Sequence, residues 1–131
     1  MRAKLVTYWM TTGLLALTCI AGGAIDVARP PGAVAFLTHL GFPAYVSVLL
    51  GAWKVLGGLA LIAPRLPRLK EWAYAGIFFD VTGAAFSHAS VGDPAGNVIV
   101  PLLLAAVTIA SWSLRPDDRK LTARHFIAAA A

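Results

Sequence analysis

Lys54 and Asp80 frame the chemistry open to this 131-residue chain, because each sits near the middle of a long apolar run. A charge in such surroundings costs about 3 kcal/mol even on lenient membrane-insertion scales, so it points to a partner or a task. Lys54 lies ten positions before Pro64, Asp80 lies ten positions after Lys70, and the basic turn PRLPRLK separates the two runs. If both runs are helices rising from that turn, both charges stand roughly 15 Å from it at 1.5 Å per residue. Equal height predicts that they face each other. The pair then serves either as a proton-handling or polar-ligand site or as an ion pair that fixes helix register.

Asp26, His39, His88 and Asp93 form a second group, which counting of lengths assigns to the end opposite the basic turn. Histidine with carboxylate can relay a proton or hold a divalent metal. No HxxxH or similar spacing supports a metal, and none is expected. The expected contact is Asp26 with His88, tying the first run to the third. Trp53, Phe78, Phe79 and Phe86 are candidates to line an apolar pocket near these groups. The acid–base candidates are therefore Asp80, Lys54, His88 and Asp26, and the ligand-binding set adds Trp53 and Phe79. Glu71 is expected to cap the third helix and to offset Arg68 or Lys70. Cys19 is the single cysteine, so the chain has neither an intrachain disulfide nor a CxxC redox pair, and a small buried thiol is expected.

The elements that must position these residues follow from composition. Hydrophobic residues make up 59% of the chain and charged ones 13%, against about 45–50% and about 25% in average globular proteins. With apolar runs near twenty residues, this predicts an all-α integral membrane protein of one domain. Residues 2–25 start basic and continue apolar. The run is longer than the core of a secretory signal, so a retained first helix is expected. Residues 33–43 are too short to span and suit an interfacial helix. Further spans are predicted over about 44–63, 71–90 and 95–113, the last tolerating Pro101. The expected architecture is an antiparallel four-helix transmembrane domain over 1–114, followed by a basic, Ala-rich cytoplasmic tail over 115–131.

The net charge of +5 is explained by orientation and not by nucleic acid. With four spans, nine Lys and Arg fall on one side and only Arg29 on the other. The positive-inside rule then places both termini in the cytoplasm, in the inner membrane of a cell. Tyr8, Trp9, Trp72, Tyr74 and Trp112 fall near the cytoplasmic boundary and Tyr45 near the opposite one. Stripes of small and polar residues, such as Ser47, Gly51, Lys54 and Gly58, predict helix–helix faces in lipid.

The motifs of residues 40–93 closely resemble those of the DoxX-like membrane proteins. The shared pieces are GFP at 41–43, GAWKVLG at 51–57, PRLPRLKEWAYAG at 64–76 and FDVTGAAFSH at 79–88. The resemblance extends over about residues 5–113 and implies four transmembrane helices. The family takes its name from a subunit of an archaeal thiosulfate:quinone oxidoreductase, and distant relatives are linked to redox stress or receptor assembly. Without a redox pair here, the oxidoreductase activity does not carry over.

Three functions compete. The chain binds a small apolar molecule, quinone or lipid-like, or serves as accessory subunit to a membrane redox or assembly complex. Alternatively it is a membrane-embedded enzyme with acid–base groups acting on an apolar substrate, or a purely structural assembly factor. A quinone is the one cofactor suggested. The bilayer is the expected partner, and Gly-rich faces are compatible with a homodimer or a membrane partner protein.

Overall fold

The computed structural model describes residues 1–121; Arg124 and the Ala-rich end of the expected tail lie outside the described residues. Among the described residues the chain is all-helical, with five α-helices and no strand: α1 (Arg2–Ala28), α2 (Pro31–His39), α3 (Val46–Ile62), α4 (Pro67–Ser90) and α5 (Ala95–Leu114). A short 3-10 turn, Asp117–Arg119, follows α5.

Proline and glycine place the boundaries. Pro31 and Pro67 occupy the first turns of α2 and α4, where the missing N–H would have no partner in any case. Gly41 and Gly92 adopt φ of 88° and 76° just beyond α2 and α4. The amides of Gly41 and Phe42 then donate to the carbonyls of Thr38 and Leu37, and those of Gly92 and Asp93 to Ala89 and His88. Both helices thus close with Schellman motifs, which satisfy their last carbonyls. Pro101 sits within α5 and is accommodated without ending the helix.

α1 packs against α3 and α5, and α4 packs against α5 and, more loosely, α3, while the short α2 touches α1 and α3. Neighbouring long helices run antiparallel, as shown by Gly23 meeting Gly51, Thr12 meeting Ser111 and Glu71 meeting Arg115. The buried apolar core gathers Leu15 and Cys19 of α1, Ala60 and Leu61 of α3, and Ala73, Tyr74 and Ile77 of α4. Among the described residues two stretches, α1 and residues 95–113, are long and apolar enough to cross a membrane, whereas α3 is apolar but only 17 residues long.

Candidate functional site

α3 meets α1 through glycine. A Cβ added at Gly51 would fall 2.6 Å from the Gly23 carbonyl oxygen and 2.8 Å from the Val27 nitrogen. One added at Gly58 would fall 3.0 Å from the Ala16 carbonyl oxygen. Only glycine fits so near a neighbouring backbone, and such small-residue contacts are how helices associate where lipid supplies no hydrophobic drive. The seam is sealed by Ser47, whose hydroxyl donates to the Asp26 carbonyl at 2.6 Å.

This approach settles the partner of Lys54. Its ammonium donates to the Asp26 carboxylate at 3.0 Å. The sequence-based pairing of Lys54 with Asp80 is therefore corrected: Asp80 is within electrostatic reach of both Lys54 and Asp26 but makes no hydrogen bond among the described residues. Lys54 and Asp80 do line one cleft, yet α3 lies closest to α1, and the glycine seam brings Asp26 within hydrogen-bond reach of Lys54. The expected Asp26–His88 contact is corrected for the same reason.

Between α3 and α4 the packing opens into a cleft of about 510 Å³. Leu50, Trp53, Leu56 and Gly57 line it from α3, and Leu69, Trp72, Gly76 and Ile77 from α4, with Lys54 and Asp80 as its ionisable groups. Trp53 is 64% and Trp72 78% exposed, so the cleft opens sideways, to whatever surrounds the helices. Of the predicted ligand residues, Lys54, Asp80 and Trp53 come together here. Phe79 does not: it turns to a smaller hollow of about 320 Å³ between α4 and α5, beside Phe78 and Trp112. Phe86 is exposed.

At the far end, Asp93 joins two histidines. His88 Nδ1 lies 2.6 Å from one carboxylate oxygen and His39 Nε2 lies 2.7 Å from the other. His88 is buried, and its ring lies 5.2 Å from that of Phe36 on α2. These contacts pin α2 onto the α4–α5 turn. Hydrogen bonds from His88 and then His39 hold the Asp93 carboxyl below the usual aspartate range. His88 and Asp26 therefore both lie outside the cleft lining.

The basic end is closed by a polar network that sequence reasoning missed. Pro64 ends α3 and leaves its last carbonyls without partners. Lys70, fully buried, donates to the carbonyls of Ala60, Leu61 and Ala63 at 2.7, 2.9 and 2.5 Å. Glu71 accepts from Arg115 at 2.7 Å and from the Trp112 indole at 2.8 Å, partners that the sequence did not suggest. Ser111 links Thr12 and Tyr74. Arg119 stacks 4.6 Å over Trp9 and reaches the Leu61 carbonyl. Arg115 and Arg119, expected in a basic cytoplasmic tail, are thus buried against the helices. Among the described residues no buried side-chain polar atom lacks a partner.

No curated protein and no solved structure matches the chain. A family model, described as the DoxX-like family, matches residues 10–111. Those residues contain the glycine seam, the cleft with Lys54 and Asp80, and the histidine-bridged Asp93. Family and apolar helices together fit a small membrane protein, and the chain belongs to the DoxX-like family.

Proposed function

We propose that the chain is a multi-pass protein of the cell membrane, in which α1, α3, α4 and α5 span the bilayer as an antiparallel four-helix bundle. Both termini face the cytoplasm, and the α3–α4 cleft holds a small apolar molecule, quinone or lipid-like. The cleft carries this reading: about 510 Å³ of largely apolar space, open sideways, with two ionisable side chains in its wall. Binding sites combine an apolar lining with a few fixed polar groups in this way. Leu50, Trp53 and Ile77 would hold the apolar body, and Lys54 and Asp80 would meet its polar end. Such a molecule could equally be held on behalf of an oxidoreductase or assembly complex to which the chain is accessory.

A blocking substitution tests the site. A Cβ at Gly76 meets nothing within 4 Å, so Gly76→Phe fills the cleft without a clash at its root. Protein extracted with its own lipids should carry a stoichiometric apolar molecule by mass spectrometry, and Gly76→Phe should lose it while melting as the wild type does. Equal recovery from both proteins would refute the site. Topology is tested by labelling single cysteines in whole cells, in a Cys19→Ala background. Thr38→Cys should react with an impermeant maleimide from outside and Arg68→Cys should not; the reverse pattern would refute the orientation.

A further inference from the structure

The charges at the polar end of the cleft do not balance. Lys54 contributes one positive charge, and Asp26 and Asp80 contribute two formal negative charges. Asp26 is already bonded to Lys54, while Asp80 faces the cleft without a hydrogen bond among the described residues. Cys19, the other ionisable group within reach, is a neutral thiol when protonated and adds no positive charge. One formal negative charge is thus left over in apolar surroundings, where a carboxylate must either find a cation or take up a proton. The same cleft presents the indoles of Trp53 and Trp72, the aromatic side chains whose faces attract cations best.

We infer that the natural occupant of the α3–α4 cleft is an amphiphilic monocation, a molecule with one amine or quaternary onium centre on an apolar body. Its charge sits against Asp80, and its body lies along Leu56, Ile77 and the two indoles. The inference rests on the cleft being a ligand site; of the two occupants proposed above it keeps the lipid-like one, with a cationic head, and sets the neutral quinone aside. A neutral lipid would fill the apolar volume but leave Asp80 uncompensated. An anion would add to the excess negative charge.

Three probes of similar shape test this: tetraphenylphosphonium, tetraphenylborate and neutral triphenylphosphine oxide. Binding of each is measured at pH 7.5 by tryptophan quenching, with the protein in phosphatidylcholine nanodiscs and with empty discs as blank. The phosphonium should bind saturably at one site, at least tenfold more tightly than the neutral probe, and the borate should show no saturable binding. Asp80→Asn should remove the preference for phosphonium over the neutral probe, and Asp80→Glu should retain it. Both variants are first matched to wild type by melting temperature, and Asp80→Glu serves as the control if the Asn variant melts early. If the neutral probe saturates, is blocked by Gly76→Phe, and binds as tightly as the phosphonium, the ligand site stands and the charge inference falls. If no probe saturates, the ligand site itself falls.

Discussion

The two faces of α3 have opposite character. Toward α1 the helix carries Ser47, Gly51, Lys54 and Gly58, and there it approaches to backbone contact, with its one charge bonded across the interface. Toward α4 it carries Leu50, Trp53, Leu56 and Gly57, with Lys54 at the edge shared by both faces, and there a cleft of about 510 Å³ intervenes, with Asp80 opposite. A single residue step thus separates rigid construction from free volume. The lesson is that a glycine on a helix has no fixed meaning. Gly51 is there because a neighbouring backbone needs its space, and Gly57, whose added Cβ would meet only Ile77 at 3.7 Å, borders an open cavity.

The largest test of this contrast removes charges on each side. Lys54→Met leaves Asp26 without compensation and should cost about 3–5 kcal/mol, while adding Asp26→Leu should restore most of the loss. Asp80→Leu, on the open side, breaks no hydrogen bond and removes a charge that has none, so stability should match or exceed that of wild type. Thermal melts in one detergent compare all four proteins. If Asp80→Leu proves as damaging as Lys54→Met, the two charges form the structural unit and the open face is not separate from the closed one.

Next in size is one substitution made on both faces. Gly51→Ala places a methyl 2.6 Å from the Gly23 carbonyl oxygen, and rigid backbone cannot give way as a flexible side chain does. A loss of about 1–3 kcal/mol is expected. Gly57→Ala should be neutral or slightly stabilising. Matching melting temperatures for the two variants would show that the seam is looser than its geometry indicates.

The smallest effect concerns the clamp above both faces. His88 and His39 hold Asp93 below its ordinary pKa, so the folded state gains from the charged carboxylate. That gain is complete above about pH 4, the ordinary aspartate value, and is lost as pH falls through the lowered folded value. Hydrogen exchange should show residues 31–42 losing protection below about pH 4 while α1 and α3 keep theirs. Asp93→Asn should remove that acid step and lower protection already at pH 6. An unchanged acid step in Asp93→Asn would assign it to another group.

How far the sequence could be read depends on the range of each signal. Apolar runs and the breaks at Pro31, Pro43 and Gly92 make the helices legible, because those effects act within a few residues, but α4 begins at Pro67, inside the stretch expected to be turn. That Lys54 and Asp80 come to one cleft was also legible, since helical rise is constant. Partner choice was not, because it depends on which helices approach most closely. Chain adjacency suggested α3 with α4, but the glycines of α1 and α3 drew those two helices together and gave Lys54 to Asp26. His88 was placed at the proper end, yet its partner was Asp93, carried to it by the turn at Gly92. The capping of α3 by Lys70 was hidden because a lysine beside a membrane boundary reads first as a topological charge.

The shortness of α3 has a consequence for the membrane itself. Its 17 residues extend about 26 Å at 1.5 Å per residue, less than the roughly 30 Å of a typical hydrocarbon core. The 27 residues of α1 extend about 40 Å on the same measure. With both helices in the bilayer as proposed, lipid tails beside α3 must compress or tilt, at a cost of fractions of a kcal/mol per ångström of mismatch. On that proposal the cleft would open onto the thinned flank of the protein, and an occupant would enter it from the bilayer there.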